Sequence, residues 1–491
     1  MSKIEKSLFY LFIFCLPFQT RKILYQWGTG FNEWTSAYLY LTDILLILVF
    51  LFWFWRRRKE RYLKDGLKIS QCLKTAGFWL VVFVVIAFIS LSRARNIELG
   101  FYTWLKLLEL AALFFYSKNN IMCHSDPAAG GGRIPWDNSD DGILRDTSDF
   151  RPQDDDKISF RNLARVFVLS GFIQAIIAWG QFLKQGSLGL KWLAESPLSL
   201  DKIGVAKIVV DGVKMLRSYG SLPHPNLLAA FLFVSIFFLY FLWLSRERLF
   251  IGHLFFLSLF YILFFGLCLT FSRAVILTFL LASFLYFVFC LWQVVQTTDI
   301  GLFKRLILVF LIFILLTGFF AFIFRPETAS RFNFSFKEEA VSLRIFYNET
   351  ALTTISRQPW LGLGAGNFVR EIQDELYLLS SWLHQPVHNI YLLIAAETGL
   401  LGLVAFLMFV FLSFLHFVSF PHKLVPAPIG ERESSVAEVS QNYFIPRNLF
   451  ILLFLSFLFI GLFDHFFLTL QQGQLLSWLI LGLVSVNFEL S

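Results

Sequence analysis

Charged residues are scarce in this sequence. They make up 15% of 491 residues, whereas 57% are hydrophobic, and the mean hydropathy is +0.65. Soluble domains carry about 25% charged residues, so the composition excludes an ordinary water-soluble enzyme. Cysteine is scarce as well, and its five copies are scattered without CxxC spacing, which argues against a metal or disulfide framework. We expect most of them to be small core residues; they are Cys15, Cys72, Cys123, Cys268 and Cys290.

Long apolar runs take the place of the missing charge. Residues 303–324 and 447–463 carry little or no charge, and about 20 such residues cross a bilayer as an α-helix. The runs are continuous rather than alternating, which excludes a membrane barrel. We therefore predict an all-α polytopic membrane protein with about twelve transmembrane helices. The predicted spans are 8–25, 38–55, 76–92, 100–117, 163–184, 227–244, 250–270, 274–295, 303–324, 390–418, 447–467 and 472–488.

Basic residues set the predicted orientation. The densest basic segment, Arg56–Arg61, directly follows the second span, and short cytoplasmic loops are enriched in Lys and Arg. Placing this segment inside puts both termini in the cytoplasm and also places the basic connections 245–248, 304–305 and 422–423 inside. The net charge of +8 is then explained by topology, without a nucleic-acid partner. Residues 8–18 lack a following A-x-A-like cleavage site and are interpreted as the first span.

Long polar stretches divide the predicted spans into groups. N-terminal spans occupy residues 1–117, central spans 161–324 and C-terminal spans 390–491. Residues 118–160 are rich in Gly, Asp and Pro, which predicts a disordered cytoplasmic insertion. An acidic triplet within it, Asp154–Asp156, could suggest a metal or nucleotide-sugar site, but no Rossmann-like strand pattern surrounds it.

Three further loops complete the predicted organisation. Residues 419–446 form a second cytoplasmic loop without a motif, and residues 185–226 form an external one. Residues 325–389 form the longest external loop, for which we predict a small helical subdomain. Its aromatic residues favour order; they are Phe332, Phe334, Tyr347, Trp360, Phe368, Tyr377 and Trp382.

Cationic side chains on the predicted external side oppose the positive-inside bias and need an explanation. Arg273 follows Ser272 in a tight connection between two spans. Helix N–H groups and a guanidinium can bind an oxyanion together there, although an arginine can also snorkel to lipid phosphates. Arg217 and His224 precede the sixth span, for which Asn226 is the predicted N-cap.

A histidine begins the most specific motif. His388-Asn389 lies at the predicted external mouth of the tenth span. Nine residues separate Asn389 from Gly399, and Gly402 follows three positions later. An imidazole titrates near neutral pH and suits a general base that acts on a hydroxyl. A structural role is the alternative for a lone histidine, and His384 is a second candidate. Arg344, on a predicted amphipathic helix of the 325–389 loop, fits a solvated surface equally well.

Together these motifs resemble the O-antigen ligase and O-antigen polymerase superfamily. The family pattern of His, Asn, nine residues, Gly, two residues and Gly fits 388–402, and its P-W-hydrophobic-G-x-G-x-G-x-F segment fits 359–368. Its S-R turn is similar to 270–273 and its external R-x-x-G…N segment to 217–226. The resemblance is strongest over about 215–405. The glycines that carry it are Gly362, Gly364, Gly366, Gly399 and Gly402.

The resemblance implies a GT-C-like, metal-independent glycosyltransferase without a cofactor. Its donor would be an undecaprenyl-pyrophosphate-linked glycan, used at the outer face of the bacterial inner membrane. The acceptor hydroxyl belongs to lipid A-core in ligases and to another lipid-linked glycan in polymerases. His388 would be the base or orient the acceptor, while Arg217 and Arg273 would hold the leaving pyrophosphate. Further substrate contacts would come from Arg344, Asn389, His224, Asn226 and Ser272.

Two points stay open at this stage. Asp464-His465, at the external end of the eleventh span, can be a functional intramembrane pair or a mutually satisfied one. The activity can be that of a ligase, of a polysaccharide polymerase or, more distantly, of a lipid-linked oligosaccharide transporter. A transporter should show internal repeats and broken spans near mid-membrane, and no clear repeat is present. A non-catalytic assembly subunit would leave His388 and the arginines without a task.

Overall fold

The computed structural model describes residues 1–28, 31–60, 75–122, 157–245, 253–298, 300–332, 339–375, 383–418 and 448–486. Most of the predicted 118–160 insertion, with Asp154–Asp156, lies outside these ranges. So do the loop 419–446, most of the basic connection 245–248, Cys72 and Cys123. Cys15, Cys268 and Cys290 are buried free thiols, as expected for core residues.

The helices follow the apolar stretches of the sequence, and each predicted span overlaps at least one helix. The helices are α1 Lys3–Cys15, α2 Leu41–Glu60, α3 Ala76–Ser90, α4 Ile97–Asn120, α5 Phe160–Lys184, α6 Pro225–Leu244, α7 His253–Cys268, α8 Arg273–Thr297, α9 Ile300–Ile323, α10 Arg325–Phe332, α11 Glu339–Arg357, α12 Phe368–Glu375, α13 Ile390–Val418, α14 Asn448–Ile460, α15 Phe466–Thr469 and α16 Gln471–Val484.

Length and hydropathy single out seven of the described helices as long and apolar enough to cross a membrane: those beginning at residues 76, 97, 160, 225, 273, 300 and 390. The helices α7 and α14 are apolar but shorter. The chain is therefore mostly helical and has several membrane spans. The count of twelve crossings and their orientation stay predictions.

The first predicted span, 8–25, is too long. The helix α1 ends at Cys15, two residues before Pro17, and residues Arg21–Gln26 form a strand instead. Proline lacks an N–H group and blocks the preceding helical turn, which accounts for the early end. The predicted span 447–467 is likewise shortened, since α14 ends at Ile460.

The strands form three small two-stranded sheets at the ends of helices. The first is an antiparallel hairpin between α1 and α2, and the last is a hairpin within the 185–226 loop that turns at Asp211-Gly212, both with positive φ. A short parallel pair lies where the 118–160 insertion leaves and rejoins the helices. The strands are β1 Arg21–Gln26, β2 Ser36–Tyr40, β3 Ile121–Met122, β4 Ile158–Ser159, β5 Lys207–Val210 and β6 Val213–Leu216.

The helix α6 forms the centre of the bundle. Its span window is buried throughout, whereas only 28% of the corresponding window of α9 is buried. A helix that is apolar all round is stable only when neighbours surround it. The helices α5, α7 and α8 pack against α6, and its N-terminus is therefore held in the middle of one end of the bundle.

Hydrogen bonds between distant loops tie that end of the bundle together. The Gln19 Nε2 donates to the Ser221 carbonyl (2.7 Å), and the Asn32 Nδ2 donates to the His384 carbonyl (3.1 Å). Arg56 lies at the other end of α2 from the β1–β2 hairpin and pairs with Glu5 (3.2 Å). The basic segment and the loops with the candidate site residues thus lie at opposite ends of the bundle.

The described part of the 325–389 loop contains the helices α10, α11 and α12. The buried aromatic ring of Tyr347 on α11 joins a small core with Phe368 on α12 and Val387. The Tyr347 hydroxyl donates to the Leu383 carbonyl. This packing fixes α11 against the residues that lead into His388.

Candidate functional site

His388 lies two residues before α13, and its ring contacts two others. Its imidazole stacks against Tyr347, with ring centroids 6.0 Å apart at 19°. It meets His465 edge to face, with centroids 4.8 Å apart at 78°. The His388 Nδ1 is buried and makes no hydrogen bond within the described part of the chain. Buried polar atoms are almost always satisfied, so this nitrogen is the clearest candidate for a substrate contact.

Asn389, predicted to bind substrate, serves as a helix cap. Its side-chain oxygen accepts hydrogen bonds from the backbone N–H groups of Tyr391 (2.9 Å) and Leu392 (3.1 Å). This cap satisfies amides at the start of α13 that otherwise lack partners. It also fixes the direction in which the chain enters the helix, and therefore the position of the neighbouring His388.

Asp464-His465, left open by the sequence, joins the cluster. The Asp464 Oδ1 accepts the backbone N–H of His465 (2.8 Å), and Oδ2 accepts the Asn226 Nδ2 (2.5 Å). The His465 Nδ1 lies 2.6 Å from the Thr469 Oγ1. The pair is therefore hydrogen-bonded and also part of the site, because His465 contacts His388.

Arg217 is connected to the same network. Its Nη2 donates to the Asn226 Oδ1 (2.6 Å), and its Nε donates to the Thr270 carbonyl (2.6 Å). The side chain is buried, with 7% exposed. Because Asn226 also donates to Asp464, a guanidinium and a carboxylate lie on opposite sides of one amide.

The prediction that Asn226 is the N-cap of the sixth span was wrong. The helix begins two residues earlier than an Asn226 cap requires, at Pro225, and the cap is His224, whose Nδ1 accepts the Asn226 backbone N–H (3.2 Å). Proline at the first helical position favours this start, since no N–H is lost there. The Asn226 side chain is thereby left to bridge Arg217 and Asp464.

Arg273 begins α8, and the buried Ser272 precedes it as N-cap. The turn before it has Phe271 in a left-handed conformation, with φ 47°. The Thr270 carbonyl of this turn is the one that accepts from Arg217, so the two predicted basic segments are in direct contact.

Arg344 lies on the exposed face of α11, and no described residue forms an ion pair with it. Its charge nevertheless reaches the cluster, since it lowers the pKa values of His224, His388, His465 and Asp464. This makes Arg344 the accessible cation of the site.

Burial, together with the neighbouring His465, lowers the pKa of His388 to about 3. Burial likewise lowers the pKa of His224 to about 3. Burial alone would raise the pKa of Asp464, but the surrounding imidazoles and Arg344 hold it below its usual range. At neutral pH the site therefore contains uncharged imidazoles and an ionised carboxylate.

The predicted glycines shape the backbone of α13 and of the loop packed against it. Gly399 interrupts α13 with φ 71° and ψ 180°, and the 359–366 loop fills the resulting kink. The Leu363 N–H donates to the Ala396 carbonyl (2.9 Å), and the Leu400 N–H donates to the Pro359 carbonyl (2.7 Å). Gly362, Gly364, Gly366 and Gly402 all lie where a Cβ would contact neighbouring atoms closer than 3.0 Å.

Sequence reasoning missed Glu397, which holds the glycine loop from within α13. Its carboxylate accepts the backbone N–H groups of Gly366 (2.9 Å) and Phe368 (3.3 Å). Trp34, whose ring meets His465 edge-on at 5.1 Å, was also missed. A glutamate inside an otherwise apolar span was the available signal for the first. No local pattern marked the second, because its loop is distant from the site in sequence.

Fold and geometry define a multi-pass membrane protein with imidazoles, a carboxylate and arginines gathered at one end of its bundle. Residues 257–407 match the family model described as O-antigen ligase. This match confirms the resemblance to the O-antigen ligase and polymerase superfamily that the motifs indicated. The match includes Arg273, Arg344 and His388. No curated protein matches the chain.

Replacing Gly399 with alanine should destabilise the protein by at least about 3 kcal/mol, because this backbone conformation is essentially restricted to glycine. The new Cβ would also lie 2.1 Å from the Trp360 carbonyl oxygen. Unfolding in detergent measures the change. Gly318→Ala is the matched control, since nothing lies within 4 Å of its Cβ position and alanine favours a helix. Equal stability of the two variants would contradict this account of the kink.

The Arg217–Asn226–Asp464 network should behave as one unit. Asn226→Ala and Asp464→Ala should each destabilise the protein by about 1–3 kcal/mol, because each leaves buried polar partners unsatisfied. The double variant should lose less than the sum of the two single losses. A double-mutant cycle by detergent unfolding measures this coupling, and additivity within about 0.5 kcal/mol would show that the residues act independently.

Proposed function

We propose that the protein is an O-antigen ligase-like glycosyltransferase. It transfers a glycan from undecaprenyl pyrophosphate to an acceptor hydroxyl, on lipid A-core or a similar glycolipid, at the outer face of the bacterial inner membrane. The observation that carries the proposal is the buried, unpartnered Nδ1 of His388. It lies beside His465, and Asp464, Asn226 and Arg217 form a hydrogen-bonded network next to that pair.

In this proposal His388 acts on the acceptor. Its uncharged Nδ1 accepts the proton of the acceptor hydroxyl as that oxygen bonds to the anomeric carbon of the donor glycan. The bond between this carbon and the pyrophosphate oxygen breaks at the same time. The bonding electrons leave with undecaprenyl pyrophosphate, and the imidazolium later releases its proton to water.

The arginines stabilise the negative charge that develops on the leaving oxygen. Arg344 is accessible and can move onto the pyrophosphate, while Arg273 lies at a helix N-terminus that favours anions. Arg217 donates to Thr270 and Asn226 and contributes a fixed positive charge. Cations held in place in this way lower the barrier most in a water-poor site.

The proposal distinguishes a transferase from a transporter by the position of the polar groups. The described site residues gather at one end of the bundle, whereas transporter sites lie near mid-membrane between repeats. A polymerase of the same superfamily would use the same steps with a second lipid-linked glycan as acceptor. Product analysis separates the two: longer lipid-linked chains indicate a polymerase, and glycan on a different acceptor indicates a ligase.

His388→Ala should reduce the turnover of purified protein by about 10²–10⁴-fold, the usual contribution of a positioned base. Binding of undecaprenyl pyrophosphate should persist, because the arginines remain. Arg273→Ala should reduce both turnover and binding. Transfer from a lipid-linked glycan, followed by mass spectrometry of the product, measures the turnover.

The control for these variants is His416→Ala, which alters a histidine in the last turn of α13, at the opposite end of the helix from the site. It should retain full activity. Full activity of both His388→Ala and Arg273→Ala, with normal membrane insertion, would refute the mechanism.

The pH profile should distinguish the free enzyme from the donor complex. A pKa of His388 near 3 keeps its imidazole uncharged, so kcat/KM should not fall between pH 8 and 5. A bound pyrophosphate favours the imidazolium and raises this pKa, so the acidic limb of kcat should lie at higher pH. Arg344→Gln removes a cation that lowers the pKa of His388 and should move both limbs upward. Coincident limbs near pH 6.5 would contradict this assignment.

A further inference from the structure

A cavity lies beside the candidate site. This aromatic cavity lies between the β1–β2 hairpin, α3, α4, α13 and the start of α16, and has a volume of about 170 Å³. A single water requires only about 10–15 Å³ of such space. The cavity is therefore large enough for a group of many atoms, and the proposed mechanism has not assigned it a ligand.

The lining of the aromatic cavity combines flat rings with hydrogen-bonding groups. Its rings belong to Trp34, Tyr38, Tyr40, Phe83, Tyr102 and Trp478. The Tyr38 hydroxyl is buried, with the Ser36 side chain beside it. Binding pockets typically combine apolar walls with a few placed polar groups, and a sugar ring presents both C–H faces and hydroxyls to such walls. The polar lining residues include Glu33, Lys106, Glu397, Gln471 and Gln474.

The charges of the aromatic cavity disfavour an anion. Among the described lining residues Lys106 is the one cation, and its Nζ is paired with Asp43 (2.6 Å) and Glu109 (3.0 Å). The lining carboxylates are partnered as well, Glu33 by Arg21 (2.8 Å) and Glu397 by backbone N–H groups, so the lining offers no free positive charge to a phosphate. An uncharged polar ligand fits this environment better than a phosphate or a lipid tail.

The aromatic cavity reaches the histidine pair on one side. Trp34 and Thr469 line the cavity. The Trp34 ring meets the His465 ring at 5.1 Å, and the Thr469 Oγ1 lies 2.6 Å from the His465 Nδ1. His465 in turn contacts His388. A hydroxyl at this side of the cavity would lie near the proposed base. Asn226, at the start of α6, accepts from Arg217 and donates to Asp464, the neighbour of His465.

We propose that the aromatic cavity binds an uncharged saccharide unit of the acceptor and directs its hydroxyl toward His388. The assignment of this saccharide to the acceptor rests on the proposed transferase function. Saccharide binding itself is a property of the cavity and can be measured without turnover.

Binding to the full-length protein in detergent tests the proposal, with the methyl glycosides of glucose, galactose, mannose and N-acetylglucosamine as probes. Saturation-transfer NMR detects such weak binding. At least one probe should bind. Ala87→Phe places a ring in the cavity, because Ala87 lines it and is 1% exposed, and should weaken binding at least about tenfold through lost space.

The matched control is Val85→Phe, two residues away on α3 with 49% of the side chain exposed. It adds a similar ring outside the cavity and should leave binding unchanged. Tyr38→Phe removes only one hydroxyl of the lining and should weaken binding by about 2–10-fold, the effect of one net hydrogen bond. This variant keeps the proposal testable if Ala87→Phe does not fold.

Two results would overturn the saccharide site: no binding of any probe to the unaltered protein, or equal binding by the unaltered protein, Ala87→Phe and Tyr38→Phe. Transfer from an undecaprenyl-pyrophosphate-linked glycan is measured separately. Saccharide binding without any transfer would refute the proposed function and leave the cavity as a saccharide site. Transfer without saccharide binding would refute the cavity assignment alone.

Discussion

The amide of Asn226 bridges two buried groups of opposite charge. Its oxygen accepts from the Arg217 guanidinium, and its nitrogen donates to the Asp464 carboxylate. Burying a charge is costly unless it is hydrogen-bonded, so both charges are tolerated in the bundle because this amide, the Thr270 carbonyl and the His465 N–H face them. His465, next in sequence to Asp464, contacts His388, so the network that holds the carboxylate also helps to position the two imidazoles.

A second constraint acts on the backbone. The kink at Gly399 exposes carbonyls of α13, which the 359–366 loop then satisfies. Glu397 holds the same loop from the opposite direction. These hydrogen bonds fix the loop to α13, the helix that begins two residues after His388. The glycine motif therefore fixes the backbone around α13, while the histidine motif places a side chain at its start.

Much of the fold was predictable, because apolar runs of span length have few alternatives to a helix in lipid. The helix ends were less predictable: Pro17 shortens α1, and Pro225 displaces the cap of α6 to His224. For the candidate site, the motifs predicted His388, Arg217 and Arg273, whose roles stay predictions. The partnership of Asn226 with Asp464 could not be predicted, since nothing local in either segment records a contact made only after the helices pack.

The contact between Asn226 and Asp464 joins residues 238 positions apart in the chain. The contact can form only after the helices between the two residues have been synthesised and packed. A chain synthesised only through α13 therefore has an incomplete site, in which Arg217 and Asn226 lack the Asp464 carboxylate. The last helices to be synthesised complete the site, so a chain cut short by stalling would carry the basic half of the site without the acidic half.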